Sequence, residues 1–197
     1  TILPQIEFET QIVKVDYRGE QVVLAAADGR VFKADKVVVT VPLGVLKSEV
    51  IEFFPPLPQT KLKAIAQGRF WGGIKVFIEF SEQFYPTFLE FPDSDTLDGQ
   101  RAYYDAAYAQ QTDRNILGFF AVGEPAQPYQ SRAGSGLIGY MLAELDEVFE
   151  GAASSTYVKH TVQSWDNEPF IRGAYLADIE SAQIPKRLAK SVSNKVY

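Results

Sequence analysis

Hydrophobic and polar positions alternate along the beginning of the chain. From Ile6 to Val41 the pattern predicts four strands. They are separated by tight turns at Arg18-Gly19-Glu20, Asp28-Gly29 and Ala34-Asp35. The fourth strand, KVVVTV, is almost entirely β-branched and stops at Pro42, which cannot donate to a sheet ladder. We therefore expect a β-meander whose last strand ends abruptly.

Helical and extended spacings follow each other further along the chain. Leu62, Ile65 and Ala66 share one face of a short predicted helix that begins near Pro58. Helical spacing of the apolar positions in GLIGYMLAELDEVFEG predicts a longer helix, ended by Gly151. Strands are predicted at IKVFIEF, RAYYDAAY, NILGFFAVG and YVKHTVQSW, and loops around at most a short strand at residues 84–100. The expected fold is α+β, with a mixed β-sheet flanked by helices.

Composition narrows the classes of function. The 197 residues are 46% hydrophobic and 22% charged, as in ordinary globular proteins. A net charge of -6 argues against nucleic acid as a partner. The chain has no cysteine and one histidine, His160, which excludes disulfides, thiol nucleophiles and the usual zinc sites. The longest apolar run, Val37–Val45, is shorter than the roughly 20 residues that span a bilayer, so no membrane contact is expected. Localisation and oligomeric state stay open.

The segment GSGLIG, Gly134–Gly139, matches the letters of the dinucleotide fingerprint G-x-G-x-x-G. That fingerprint needs a hydrophobic strand leading into its first glycine, so that the pyrophosphate meets the helix N-terminus. The preceding residues here are EPAQPYQSRA, which do not have the pattern of a strand. We interpret the segment as an entry to the helix and not as a phosphate site.

Four further segments occur in a specific order: ADKVVVTVPLGVLK, FFPPLPQTKLKAI, GGIKVFIEF and SWDNEPFIRGAY. Their order and spacing closely resemble the flavin-containing amine oxidases, the family of polyamine oxidases, monoamine oxidases and lysine-specific histone demethylases. The pairing of T-V-P-L-G-V-L with a P-P-L-P helix is specific to that family, and so is W-x3-P-x3-G-x-Y. The resemblance spans nearly the whole chain.

The resemblance implies a domain organisation and an activity. Residues 1–43 would be a β-meander of the FAD-binding domain, residues 44–165 the substrate-binding domain, and residues 166–197 a return segment toward the FAD-binding domain. The implied cofactor is FAD. The implied reaction oxidises a primary or secondary amine to an imine by hydride transfer to flavin N5, and O₂ regenerates the flavin with release of hydrogen peroxide.

The resemblance assigns catalytic and substrate roles to three residues. Lys75 matches the lysine that reaches flavin N5 through a water molecule, where an ammonium stabilises developing negative charge. Tyr175 matches one wall of an aromatic cage in front of the flavin, and Phe170 is a second substrate-binding aromatic. Several relatives have serine before this tyrosine, whereas here the residue is Ala174, so that local contact is lost.

Cofactor contacts are implied at three places in the chain. The backbone of Ile12 would pair with the adenine ring, and Trp165 would lie beside the flavin. Thr40, Val41 and Pro42 would border the flavin and its ribityl chain. The predicted strand therefore stops at Pro42 because the cofactor would lie beyond its end.

Two segments that relatives use to hold FAD are not in this sequence: an N-terminal G-x-G-x-x-G unit and a C-terminal F-A-G-E segment. We therefore expect the chain to be cut from a longer parent, and to bind FAD weakly and be inactive by itself. Two alternatives stay open: a related flavoprotein oxidase acting on amino acids or a C-C bond, and a non-catalytic binding or interaction module. Asp93, Asp95 and Asp98 either attract a polyamine or simply form solvated turns.

Overall fold

A computed structural model describes residues 2–91, 98–132, 134–177 and 183–197, and at Ser135 the backbone alone. The chain divides into two compact units, one formed by Thr1–Arg69 with Asp178–Tyr197 and the other by Phe70–Ala177. This division concerns compactness. The functional boundaries expected at residues 43/44 and 165/166 concern the parent protein and stay predictions.

The first unit contains a four-stranded sheet of order β3-β2-β1-β4. Its strands are β1 (Ile12–Asp16), β2 (Val22–Ala26), β3 (Val31–Ala34) and β4 (Glu52–Phe54). The first three pair antiparallel through short turns, as the alternation predicts, and β4 pairs parallel to β1. Val15 and Val22 are buried, so one face of the meander contributes to the core of this unit.

Three helices complete the first unit: α1 (Leu43–Lys47), α2 (Gln59–Gln67) and α6 (Gln183–Ala189). Proline directly precedes both α1 and α2, where its fixed φ suits the entry to a helix. Ala64 and Ile65 are the buried residues of α2, whereas Ala66, which we expected on the apolar face, is exposed. The Lys61 ammonium donates to the Leu188 carbonyl at 2.6 Å, and desolvation lowers the pKa of Lys61.

The predicted fourth strand, Lys36–Val41, is not a strand of the sheet. Val37 forms only an isolated parallel bridge with Val196, supported by two backbone hydrogen bonds of 2.8 Å between Val37 and residues 195 and 197. Val38 is 70% exposed. The β-branched run therefore finds too few backbone partners in the described residues to extend as a ladder, and the sheet takes β4 as its fourth strand instead.

The second unit contains a five-stranded antiparallel sheet of order β10-β6-β9-β8-β7. Its strands are β6 (Gly73–Phe80), β7 (Phe88–Leu89), β8 (Gly99–Asp105), β9 (Asn115–Gly123) and β10 (Tyr157–Ser164). All four strands predicted in this part of the chain are present, and the loop-rich stretch contributes only the two-residue β7.

One face of this sheet packs against the long helix α4 (Ser135–Phe149) to form the main core. The buried cluster includes Ile74, Val76, Ile78, Phe119, Tyr129, Met141 and Leu145. The helix ends at Phe149 because Glu150 and Gly151 both have positive φ. The end predicted at Gly151 would have kept Glu150 in the helix, so the helix is one residue shorter than expected. Two short helices, α3 (Gln127–Gln130) and α5 (Ala152–Thr156), flank α4.

A separate two-stranded ribbon pairs β5 (Phe70–Trp71) with β11 (Tyr175–Leu176). A 3₁₀ turn, Trp165–Asn167, follows β10 directly. The α+β class with mixed sheets and flanking helices is therefore confirmed. Within the described ranges, no helix is long and apolar enough to cross a membrane.

Candidate active site

The face of the five-stranded sheet opposite α4 is half-covered and rich in aromatic residues. Because side chains alternate along a strand, Lys75 and Phe77 of β6 lie on the face opposite the buried Val76. Phe120 of β9 is the register partner of Lys75. We call this surface, defined by Lys75, Phe77, Tyr104, Gly118 and Phe120, the open face.

Tyr104 of β8 lies across the middle of the open face. A Cβ added at Gly118 would be 2.5 Å from Tyr104 Cζ, so the ring lies directly over this glycine. Phe77 meets the same ring edge-on, with centroids 6.5 Å apart and an interplanar angle of 87°. The Lys75 ammonium lies 5.7 Å from the centroid of the Tyr104 ring. The ring thus contacts both the apolar and the cationic parts of the open face.

Lys75 is half-buried, and its ammonium has no hydrogen bond or ion pair to any residue that the structure describes. Its register partner on β10, Gln163, donates to Glu168 at 2.7 Å instead. Glu79, four residues further along β6, is paired with Lys159 at 3.3 Å and Arg114 at 3.7 Å. Lys75 therefore keeps all three N–H donors available on a largely apolar surface.

The β5–β11 ribbon places Tyr175 opposite Trp71. The Ala174 amide donates to the Trp71 carbonyl at 2.7 Å. A Cβ added at Gly73 would be only 2.4 Å from the Ala174 Cβ, so the segment before Tyr175 packs on the first residue of β6. Lys75 is two positions along that strand, about 7 Å in backbone distance. The structure thus brings Tyr175 and Lys75 to the same end of the sheet.

Gly173 allows this close approach. Its φ of +142° is a conformation that other residues rarely adopt, and an added Cβ would be 2.4 Å from the Phe70 ring. Its amide donates to the Trp165 carbonyl at 3.2 Å, which ties the ribbon to the 3₁₀ turn. The position of Tyr175 therefore depends on Gly173, two residues before it.

Asp166 fastens the 3₁₀ turn to the start of β6. Its Oδ2 accepts from the Gly73 amide at 3.1 Å and from the side-chain amide of Gln130. Gly72 also packs on this carboxylate, since a Cβ there would be 2.6 Å from Oδ2. The neighbouring Trp165 is half-buried. The predicted cofactor residue Trp165 is thus held close to the strand of Lys75.

Two of the predicted site aromatics are largely exposed. Tyr175 is 53% exposed and Phe170 is 61% exposed. The first of them is fixed by strand pairing, whereas Phe170 lies in the turn between the 3₁₀ turn and the ribbon. Both side chains are therefore accessible to a ligand.

The remaining predicted cofactor residues lie in the first unit. Ile12 is the first residue of β1 and pairs with Ala26. Thr40 is exposed, and Val41 and Pro42 are half-buried immediately before α1. Pro42 has a ψ of 150°, so the chain is still extended where the helix begins. These four residues belong to one compact unit, and Lys75, Trp165, Phe170 and Tyr175 belong to the other.

The open face fits a flavin chemically. An ammonium with free donors, on an aromatic surface at the edge of solvent, suits a group on which negative charge develops. Glycines at 73, 118 and 173 let Ala174, Tyr104 and Phe70 pack directly on the backbone at these positions. Among the described residues, no cluster of three histidine or acidic side chains could hold a metal ion.

The sequence profile of the flavin containing amine oxidoreductases matches residues 4–194. The chain belongs to this family. The predicted resemblance is therefore confirmed, and FAD is the cofactor of this family.

Individual proteins similar to this chain support the family assignment. It is 27% identical over 176 residues to lysine-specific histone demethylase 1B of Mus musculus, covering 86% of this chain and 21% of that protein. It is 25% identical over 194 residues to polyamine oxidase 5 of Oryza sativa subsp. japonica, covering 98% of this chain and 39% of that protein. The chain thus spans well under half the length of these relatives.

The fold has a counterpart among solved structures. A triple mutant of putrescine oxidase superposes with a TM-score of 0.70 at 20% sequence identity, covering 86% of this chain and 37% of that protein. At this identity the match establishes the shared fold. The roles assigned to individual residues stay predictions.

Sequence reasoning missed Tyr104 and Gly118. The alternation in RAYYD does contain the signal, because it puts Tyr103 and Tyr104 on opposite faces of β8. The contact between Tyr104 and Lys75 requires the register of three strands, which no local pattern supplies. Of the acidic loop, Asp93 and Asp95 lie outside the described residues, and Asp98 accepts the Trp71 indole N–H at 2.9 Å.

Proposed function

We propose that this chain provides the substrate-binding portion of an FAD-dependent amine oxidase. The substrate would be a primary or secondary amine, and O₂ would be the second substrate. The imine product would hydrolyse to a carbonyl compound. The observation that supports this most strongly is the half-buried Lys75 ammonium, which has no acceptor among the described residues and lies at the same end of the sheet as Tyr175.

FAD, when bound, supplies the chemistry of accepting a hydride from the amine and passing electrons to O₂. Lys75 would donate a hydrogen bond to the water next to flavin N5, and its positive charge would stabilise negative charge there. Trp165 and Tyr175 would flank the cofactor. Ile12 and Thr40–Pro42 would contact its adenine and ribityl parts.

The aromatic side chains would prepare the amine. Hydride loss from the α-carbon needs the nitrogen lone pair, so the amine must lose its proton before reaction. Phe77 and Phe120 would form an apolar surface that excludes water and lowers the cost of that deprotonation. Tyr175 and Phe170 present π-faces that attract the ammonium before it loses its proton.

The domain boundaries proposed from the sequence follow this division of labour. Residues 1–43 and 166–197 would belong with the FAD-binding part of the whole protein, and residues 44–165 with the substrate-binding part. The 197-residue chain alone would hold FAD weakly and have no activity. Titration with FAD, followed by the flavin absorption spectrum, tests this: a stable one-to-one complex would contradict it.

Peroxide release from the whole protein with spermine, tyramine and amino acids in turn tests the activity. Oxidation of an amine supports the proposal, whereas oxidation of amino acids alone favours the related flavoprotein oxidase. The diagnostic variant is Lys75→Met, which should lower kcat strongly. Lys33→Met, an exposed strand lysine of the first unit, is the matched control and should leave kcat unchanged. Unchanged turnover in Lys75→Met would favour a non-catalytic binding module.

A further inference from the structure

We propose that Tyr104 is a positioning residue: its ring holds the Lys75 ammonium at the open face by a cation–π contact. This inference rests on the proposed function, because it concerns the residue assigned to the water next to flavin N5. Tyr104 itself would touch neither cofactor nor substrate nitrogen. Its effect would be exerted through Lys75.

The Lys75 ammonium lies within reach of the Tyr104 ring. The Lys75 Nζ lies 5.7 Å from the Tyr104 ring centroid, within the range of about 6 Å at which an ammonium is attracted to a π-face. The two residues belong to different strands, β6 and β8, which are separated by β9. The ring therefore reaches across the strand between them, and Gly118 of β9 is the residue it crosses.

The Tyr104 ring is held in place from two sides. A Cβ at Gly118 would be 2.5 Å from Tyr104 Cζ and 2.6 Å from Cε2, so only glycine lets the ring lie this close to the sheet. The edge-on contact with Phe77 restricts the ring on the β6 side. A restrained aromatic surface can in turn restrain a flexible lysine.

Lys75 has no carboxylate partner among the described residues that could orient it in place of the ring. Glu79, on the same face, has two cationic partners, Lys159 and Arg114. Lys75 has no carboxylate or hydrogen-bond partner among the described residues, so a long side chain with many rotamers has only the Tyr104 ring to orient it. A π-face attracts the charge without consuming an N–H donor. The ammonium is thus oriented and still free to bind a water.

The contact can be tested without cofactor or activity. Reductive methylation with ¹³C-formaldehyde gives each lysine an NMR-visible dimethylammonium group, and the Lys75 signal is assigned by its loss in Lys75→Arg. The ring current of Tyr104 should shift that signal upfield. In Tyr104→Leu it should move to the position of exposed lysines, and in Tyr104→Phe it should stay.

An internal control is present in the same spectrum. The Lys36 ammonium lies 5.7 Å from the Tyr197 ring centroid in the first unit, the same distance as in the Lys75 pair. Its signal should not move in any Tyr104 variant. If Tyr104→Leu does not fold, Gly118→Ala displaces the ring without removing it and should move the Lys75 signal alone. An unmoved Lys75 signal in a folded Tyr104→Leu or Gly118→Ala variant would overturn the inference.

The positioning role is tested in the flavin-loaded whole protein. Tyr104→Leu should lower kcat by about tenfold, as expected for losing a half-buried cation–π contact, and Tyr104→Phe should restore it. Adding Tyr104→Leu to Lys75→Met should cause no further loss. Unchanged kcat in Tyr104→Leu, with a moved NMR signal, overturns the positioning role alone. Unchanged kcat in Lys75→Met overturns the proposed function of Lys75 and leaves the ring contact intact.

Discussion

Gly173→Ala should open the ribbon that places Tyr175 opposite Trp71. The alanine would have to adopt a φ of +142°, which costs about 1–3 kcal/mol for a residue with a side chain. Its Cβ would also lie 2.4 Å from two carbons of the Phe70 ring, so either the ring or the ribbon must move. If the Gly173–Trp165 hydrogen bond breaks, about 1 kcal/mol more is lost.

The expected total loss of stability is therefore about 2–4 kcal/mol. Urea unfolding followed by tryptophan fluorescence measures it well, because Trp71 and Trp165 both lie in the second unit. In the whole protein, kcat with the amine substrate should also fall in the fraction that stays folded, because Tyr175 is displaced.

Two other glycines give matched controls. Gly151 has a φ of +86° with nothing within 4 Å of an added Cβ, so Gly151→Ala should cost only the backbone strain of about 1–2 kcal/mol. Gly139 lies inside α4 with open space around it, so Gly139→Ala should stabilise by about 0.5–1 kcal/mol. If Gly173→Ala costs no more than Gly151→Ala, the close packing of the ribbon is wrong.

Three further predictions concern the second unit. Tyr129→Phe should cost about 2 kcal/mol in urea unfolding because its hydroxyl donates to the Glu144 carboxylate at 2.6 Å. Tyr103→Phe should cost less than about 0.5 kcal/mol because that buried hydroxyl has no hydrogen-bond partner among the described residues, and equal losses would contradict this. Burial raises the pKa of Tyr103 well above 10.0, so the contribution of this residue to stability is fully present below pH 10 and is lost above it. Above pH 10, Tyr103 should lower the free energy of unfolding by about 1.4 kcal/mol per pH unit. Tyr103→Phe should make that decline shallower. Asp166→Ala should cost about 1–3 kcal/mol because the buried Gly73 amide loses its acceptor, and an unaltered urea midpoint would mean that this bond is not formed.

Local periodicity was sufficient for the regular parts of the fold. The strict alternation of Ile74, Val76, Ile78 and Phe80 predicts β6, and the structure buries those four residues on one face. The helical spacing from Ile138 to Phe149 predicts α4 in the same way. In both cases the pattern is determined by one partner surface, which is why sequence alone is enough.

Pairings between distant segments could not be predicted in this way. Strand β4 consists of three residues and is recognisable only through its parallel register with β1. The β5–β11 ribbon has two residues on each side and depends on the φ of Gly173. Val37 has every local property of a strand residue, yet it forms only an isolated bridge, to Val196. Backbone partners, and not propensity, decide these cases.

The same distinction between local sequence patterns and distant pairings applies to the residues of the candidate site. Lys75 and Tyr175 were found through family motifs, which preserve the distances in sequence that periodicity does not explain. Tyr104 and Gly118 belong to no such motif, and their role follows from strand register alone. The residues assigned to the cofactor thus stay predictions from the sequence, and the structure adds the two residues that we propose orient Lys75.

A crystal structure of the whole protein with FAD bound would test the central claim most directly. We expect the isoalloxazine ring to lie at the end of the open face, with Lys75 Nζ joined to flavin N5 through one water and the Tyr175 ring facing the cofactor. A flavin bound at a different surface, with Lys75 and Tyr175 in separate cavities, would contradict it.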